Sequence, residues 1–266
     1  MPVLIVIPAR YASTRYPGKP LVELRGAGGE ARSLIRRSWE AAQAVEGVER
    51  VVVATDDERI ADAADAFGAE VMMTPSSCRN GTERCAAVSR ALGPVYDVIV
   101  NLQGDAPLTP PWFLEALIAA MAEDPDCGVA TPVLRCDKEA LEGFLEDRRA
   151  GRVGGTTAVF DAAGRGLYFS KEVIPYTGRP FAKDETIPVF HHVGAYAYRR
   201  DALLDYQDWR IGPLETWEGL EQLRFLENGA IVRCIEVEAR GRVFWELNNP
   251  GDVPRIEAAL VAQGMD

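Results

Sequence analysis

The chain opens on an unbroken apolar run of strand length, Val3-Leu4-Ile5-Val6-Ile7, followed by a loop of small, polar and basic residues. Similar runs recur at residues 51–55 and 98–102, alternating with stretches at 33–45, 59–67 and 112–121 whose apolar positions return at helical spacing. The strands are apolar throughout instead of alternating, which predicts helices on both faces of a mostly parallel sheet, an α/β class. In such sheets ligands sit beyond the carboxyl ends of the strands, so the residues after each run are where chemistry is expected.

From about residue 129 the texture changes. Short β-prone stretches at 129–134, 156–160, 166–169 and 189–198 are joined by polar or glycine-bearing connections at 139–155 and 175–188. This predicts an antiparallel-leaning layer. Helical character returns at 214–226, a strand at 231–237 and a helical end at 250–262. The expected division is an α/β core of residues 1–131 and 208–266, with 132–207 inserted as a smaller β-rich piece.

Composition narrows the function classes. With 266 residues, 47% of them apolar, the chain can bury a core without disulfides or structural metals. Its 29 Lys and Arg against 40 Asp and Glu give a net charge of −11, which speaks against a nucleic-acid binder or a protein spread on an anionic membrane. The five cysteines contain no C-x-x-C pair, so a disulfide framework is not expected and a reducing cytoplasm is. The first apolar run is too short to span a membrane and has no charged region before it, so neither membrane insertion nor a signal peptide is expected.

Against this acidic background, residues 1–20 hold three basic side chains, Arg10, Arg15 and Lys19, and no acidic one. With the small residues Ala12, Ser13 and Gly18 they can wrap a polyphosphate; an ordinary surface loop is the alternative. The run at 98–102 leads into Gln103-Gly104-Asp105, where a carboxylate after a buried strand and a glycine suits Mg²⁺, and capping of the next helix is the alternative. Asp56 and Asp57, after the run at 51–55, read as helix caps. Gly26-Ala27-Gly28-Gly29-Glu30-Ala31 matches a loose dinucleotide pattern, but it does not follow the first strand, which argues against a nicotinamide site. The only histidines, His191 and His192, are adjacent in a β-prone stretch, so they face opposite sides and do not share a metal; one can line a pocket with the other solvated, or both can be structural. Glu215, Glu218 and Gln222 fall at helical spacing and predict one polar stripe, either a sugar site or a solvated face.

Taken together, these stretches resemble a known family. Ile7-Pro8-Ala9-Arg10-Tyr11-Ala12-Ser13-Thr14-Arg15-Tyr16-Pro17-Gly18-Lys19-Pro20-Leu21 is similar to the amino-terminal motif of the 3-deoxy-manno-octulosonate (Kdo) cytidylyltransferases. Val53-Ala54-Thr55-Asp56-Asp57, Asn80-Gly81-Thr82-Glu83-Arg84, Val100-Asn101-Leu102-Gln103-Gly104-Asp105, Leu167-Tyr168-Phe169-Ser170, Gly194-Ala195-Tyr196-Ala197-Tyr198-Arg199 and Leu220-Glu221-Gln222-Leu223-Arg224 agree in order. The resemblance implies a Rossmann-like nucleotidyltransferase fold, a homodimer formed through the β-rich layer, and transfer of CMP from CTP to a 3-deoxy-2-keto sugar acid with release of pyrophosphate, for lipopolysaccharide or capsule assembly. By the same resemblance Arg10, Ala12, Ser13, Arg15 and Lys19 hold the triphosphate, and Asn80, Gly81, Thr82 and Arg84 lie by the cytidine. Gln103, His192, Tyr198, Glu215 and Gln222 surround the sugar acid, and Asp105 binds Mg²⁺.

The departures from the family pattern are specific. Ala106 stands where Glu usually follows the Q-G-D aspartate, and Asn248 stands where the family has a second metal-binding Asp. Asn248 can still offer a carbonyl oxygen to the metal, without charge. Residues 151–157 replace an N-P-N-x-V-K-V stretch, and Lys171 replaces an Arg. These last two changes lie toward the sugar side and leave open a nucleotidyltransferase for another acidic acceptor, while Asn248 in place of the metal-binding Asp leaves open a nucleotide-binding homologue with impaired catalysis.

Overall fold

The computed structural model describes residues 1–12, 16–153, 155–182, 185–247 and 249–266. The first half runs β1 (Val3–Ala9), a hairpin of β2 (Glu23–Arg25) and β3 (Ala31–Ser33), α1 (Leu34–Gln43), β4 (Arg50–Thr55), α2 (Glu58–Ala66), β5 (Glu70–Met73), α3 (Gly81–Leu92), β6 (Val98–Leu102) and α4 (Pro111–Glu123). The second half runs β7 (Val129–Arg135), α5 (Lys138–Arg149), β8 (Thr156–Phe160), β9 (Gly166–Ser170), β10 (Phe190–His192), β11 (Ala195–Arg199), α6 (Arg200–Asp208), α7 (Pro213–Glu218), α8 (Leu223–Glu227), β12 (Val232–Val237) and α9 (Val253–Ala262).

Among the described residues one sheet of ten strands has the order β5-β4-β1-β6-β11-β7-β10-β8-β9, with β12 pairing β7. The β5-β4-β1-β6 half is parallel, with Leu4 opposite both Arg50 and Ile99. Beyond β6 the pairing turns antiparallel through β11, β7, β10, β8 and β9, as the sequence texture predicts, so the strands of residues 132–207 extend this sheet.

Side-chain alternation along β1 divides the core in two. Val3, Ile5 and Ile7 pack with Ile35 of α1, Ile60 of α2 and Phe113 and Leu117 of α4. Leu4 and Val6 pack with Cys85 and Val88 of α3, Leu203 of α6 and Phe225 of α8. Both faces are therefore covered by helices, which is why the strands carry apolar residues at every position.

Several elements differ from expectation. The connection expected at 139–155 contains α5, whose N-terminus is held by the Asp137 carboxylate accepting from the Ala140 N–H. Its apolar pattern is faint because only Leu141 and Phe144 are buried. The stretch at 189–198 is two strands separated at Val193-Gly194, and 214–226 is two short helices separated at residues 219–222. Asp57 caps α2 as expected, and Gly26 to Gly29 form the turn of the β2-β3 hairpin.

Candidate active site

The parallel register brings the ends of β1 and β6 out side by side, so Pro8-Ala9-Arg10 lies against Gln103-Gly104-Asp105. Gly104 is what lets them touch: a Cβ there would stand 3.0 Å from the Pro8 carbonyl oxygen and 3.4 Å from Ile35 Cδ1. A cavity of about 690 Å³ opens at this point. Arg10, Lys19, Asn80, Gly81, Arg84, Gln103, Asp105, His192 and Gln222 all line it, so nine residues singled out from the sequence converge.

On the β1 side, Lys19 Nζ meets Asp105 Oδ2 at 2.5 Å, so the expected phosphate cation and the expected metal carboxylate form one ion pair. The loop returns on itself through the Gly18 N–H, which donates to the Tyr11 carbonyl at 2.9 Å, while the Arg59 guanidinium covers the Tyr11 ring. Arg10 is exposed and donates to the Arg79 carbonyl over 3.4 Å. Ala12 is exposed and does not line the cavity. Ser13, Arg15 and Asn248 lie outside the described residues; the Leu247 N–H donates to the Asp105 carbonyl at 3.0 Å.

The amino end of α3 supplies another side. Asn80 caps it, accepting from the Glu83 N–H at 2.8 Å and donating to the Tyr206 hydroxyl at 2.9 Å. Arg84 is buried, paired with Asp56 at 3.3 Å and bonded to the Thr74 hydroxyl. Thr82 does not face the cavity: it is wholly buried, its hydroxyl 2.8 Å from the Tyr198 hydroxyl and its N–H donating to Glu221 Oε2 at 3.1 Å.

The expected sugar side needs three corrections. Tyr198 is fully buried and stacked between Tyr196 and Phe225, so it supports the cavity from beneath, and Tyr196 lines it instead. Glu215 is buried and holds Arg224 through two contacts of 2.6 Å, so it is structural. The polar stripe does not form, because α7 ends at Glu218 and Gln222 begins the next turn; Glu218 bonds Ser170 and the Lys171 N–H, and Gln222 accepts from the Tyr196 hydroxyl at 3.0 Å.

Tyr196 and Glu221 are among the lining residues that sequence reading did not assign to the site. The period-two spacing from Tyr198 pointed to Tyr196, and Glu221 sits beside Gln222 in the quoted motif. Glu221 is central: its Oε2 takes the Thr82 N–H and its Oε1 takes the Gln103 amide at 3.1 Å. Burial raises its pKa, and the Thr82 and Gln103 donors oppose that rise. Burial, and then the Glu221 charge, raise the phenols of Tyr196 and Tyr198 well above their ordinary range.

His191 and His192 face opposite sides as expected. His191 packs on Phe144 and Phe244, and His192 on Phe169 and Tyr196, with its Nε2 2.9 Å from the Thr131 hydroxyl. Neither is a solvated surface histidine: burial lowers His191 to about 4 and His192, with a further contribution from His191, to about 3. Both are neutral near pH 7. Among the described residues no group of three or more His, Cys, Asp or Glu is arranged to hold a metal.

Arg224 ties the site together. Its guanidinium has no solvent exposure, forks onto Glu215, reaches Glu83 Oε1 at 3.1 Å and lies over the Tyr206 ring. Burial works against its charge, but Glu215 and Glu83 more than offset this and raise its pKa. Removing one member of such a buried set leaves uncompensated charge, so Arg224→Ala is expected to cost about 3–5 kcal/mol in urea unfolding. A loss under about 1 kcal/mol would contradict the assignment. The histidines generate a second expectation. Because His192 is depressed from 6.5 to about 3 by folding, the unfolded chain binds more protons across that window, and stability is lost as pH falls from 6.5. His192→Gln retains a partner for Thr131 and is expected to show a shallower loss of stability between about pH 6.5 and about pH 4.5; an unchanged slope would show that His192 does not carry it.

A family model described as cytidylyltransferase matches residues 4–237. The chain is 45% identical over 264 residues to the 3-deoxy-manno-octulosonate cytidylyltransferase of Maricaulis maris, with 99% of each covered. It is 38% identical over 265 residues to the mitochondrial enzyme of that name from Arabidopsis thaliana, covering 99% of this chain and 84% of that one. The solved structure of CMP:2-keto-3-deoxy-manno-octonic acid synthetase complexed with CTP superposes with a TM-score of 0.82 at 34% identity, with 100% of both chains covered. The 4-diphosphocytidyl-2C-methyl-D-erythritol synthase of Anaerococcus prevotii, at 11% identity and a TM-score of 0.58, shares the fold alone. On these grounds the chain belongs to the cytidylyltransferase family, among its 3-deoxy-manno-octulosonate cytidylyltransferase members.

Proposed function

We propose that the chain transfers CMP from CTP to 3-deoxy-manno-octulosonate and releases pyrophosphate. The observation that carries this reading is the cavity itself, whose lining combines Arg10, Lys19 and Asp105 with the amides of Gln103 and Gln222. A sugar hydroxyl attacks the α-phosphorus in line, and the bond to pyrophosphate breaks. The protein is asked mainly to position the groups and to offset charge building on the phosphates. Arg10 and Lys19 supply cations, with Arg15 of the same loop, and Asn80, Gly81 and Arg84 border the cytidine. Gln103, Gln222 and the neutral His192 offer uncharged hydrogen-bonding groups to the sugar acid.

Mg²⁺ belongs to this reading. The donor chemistry fits: Mg²⁺ takes one or two carboxylates and fills its other positions with phosphate oxygens and water, and Asp105 is a partly exposed carboxylate at the cavity. Asp105, with Asn248 as an uncharged second oxygen, would hold the ion, which when bound supplies Lewis-acid charge neutralisation at the phosphates. A cytoplasmic location, where CTP is made, and a product feeding lipopolysaccharide or capsule assembly complete the proposal.

A homodimer is also part of it, joined through the β-rich residues 132–207 that the sequence set apart. In support, β9 is an edge strand of the sheet, and Leu167 on it, Tyr176 just after it and Trp217 of α7 are 62%, 93% and 88% exposed. Leu167→Asp is expected to shift sedimentation from two chains to one; a wild-type protein sedimenting as a single chain at micromolar concentration would refute the dimer.

The activity test is pyrophosphate release from CTP and Kdo, expected with Mg²⁺ and abolished by chelation. Lys19→Met is expected to lower kcat/KM by about 10²–10³-fold with the fold intact by circular dichroism. A wild-type protein that binds CTP but releases nothing with Kdo would transfer the reading to another acceptor.

A further inference from the structure

Gln103 presents an amide to the cavity, and which end of that amide faces the substrate decides what it can recognise. An NH2 group donates and a carbonyl accepts, and the two are nearly the same shape, so hydrogen-bond partners set the orientation. The Gln103 Nε2 donates to Glu221 Oε1 at 3.1 Å. Glu221 Oε2 is already taken by the Thr82 N–H at 3.1 Å, at the positive end of α3. Burial works against the Glu221 charge, but both of its oxygens receive N–H donors, which favour the carboxylate form, and a carboxylate so held admits the NH2 end of Gln103 and refuses the carbonyl.

Two neighbours leave that choice to Glu221. Asn101 lies two residues earlier on the same face of β6, is fully buried and makes no side-chain hydrogen bond, so it does not compete for the Gln103 amide. Gly81 leaves the space the amide fills: a Cβ there would stand 2.8 Å from Gln103 Nε2 and 3.1 Å from Asn101 Nδ2. Gln103 itself is half-buried and lines the cavity, and its Oε1 takes no hydrogen bond among the described residues yet is not closed off from solvent. The carbonyl is therefore open to the cavity.

We propose that Glu221 is a positioning residue that locks the Gln103 amide with its carbonyl toward the cavity, making Gln103 an acceptor for a hydroxyl of the sugar acid. This rests on the cytidylyltransferase reading above for the identity of the acceptor, but not for the Glu221–Gln103 contact. The expected selectivity is for a hydroxyl at the contacted position over an analogue lacking it, because the deoxy compound leaves the carbonyl unpaired. The same carboxylate holds the Thr82 N–H, so one side chain sets both the turn beside Asn80 and the amide at the end of β6.

The test uses four proteins: wild type, Glu221→Gln, Gln103→Glu and the double variant. In Glu221→Gln the new amide keeps its carbonyl on Thr82 and turns its NH2 to Gln103, which must reverse. The KM for Kdo is expected to rise about 10-fold while the Kd for CTP, by calorimetry, stays within about twofold. Gln103→Glu places two carboxylates face to face and is expected to lower kcat/KM for Kdo about 100-fold. In the double variant the donor and acceptor roles are exchanged and a carboxylate oxygen again faces the cavity, so at least about 10-fold of that loss is expected to return. Losses that simply multiply would overturn the proposal, as a merely structural Glu221 predicts.

A second readout needs no acceptor. The Gln103 side-chain amide signals, identified in nitrogen-15 spectra by their absence in Gln103→Glu, are expected to move in Glu221→Gln, and signals that stay put would also overturn the proposal. If they move but wild type does not turn over Kdo, the acceptor reading fails and the amide orientation stands.

Discussion

The buried guanidinium of Arg224 holds three separate pieces of chain in one place. It lies on α8, forks onto Glu215 of α7 and reaches Glu83 in the first turn of α3. Glu83 lies 141 positions from Arg224, and α7 and α8, consecutive in the chain, are too short to be stable alone. Charge pairing in a dry interior is unforgiving: each carboxylate has to be within hydrogen-bonding reach of the guanidinium, or burial leaves it uncompensated. That demand fixes the start of α3 against the turn at residues 219–222, and hence Asn80 and Gly81 against Glu221 and Gln222.

The other wall depends on backbone geometry. Parallel pairing of β1 with β6 requires their loops to leave the sheet at the same edge, and Gly104 allows the two backbones to approach within contact. Lys19 and Asp105 are 86 positions apart and become partners only because of this. The sheet thus places the charged groups, the Arg224 cluster places the hydrogen-bonding groups, and the cavity is the space between.

Much of this was legible in the sequence because the signals are local. An apolar run has to be a buried strand, and small or charged residues after it have to sit at the sheet edge, so Arg10, Lys19 and Asp105 could be placed from the local pattern, and Gln103 from the family resemblance. The errors arose where a side chain's role depends on a distant partner. Glu215 looked like one member of a polar stripe, yet it is consumed by Arg224. Tyr198 looked like a ligand contact, yet its hydroxyl is taken by Thr82, 116 residues away. Glu221 was passed over because nothing in the local pattern separates it from Glu218. The helix α5 was hidden for a different reason: its stability comes from the Asp137 cap and a few buried side chains, not from a repeating apolar face.

The net charge of −11 and a triphosphate ligand are reconciled by how the cations are spent. Arg84 is neutralised by Asp56 and Arg224 by Glu83 and Glu215, so neither adds free positive potential to the cavity. Lys19 differs. Its partner Asp105 is 26% exposed and Lys19 14%, so the pair is only partly shielded from water. The pair is a single contact, so exchanging Asp105 for a phosphate oxygen replaces one charge-assisted hydrogen bond of Lys19 with another. The same exchange would free the Asp105 carboxylate as Lys19 turns to the nucleotide, so in the proposed reaction one exchangeable contact holds both groups in place. An acidic protein can take a highly charged anion here because Arg10 and Lys19 line the cavity from the loop after β1, and residues 1–20 carry no acidic side chain to oppose them.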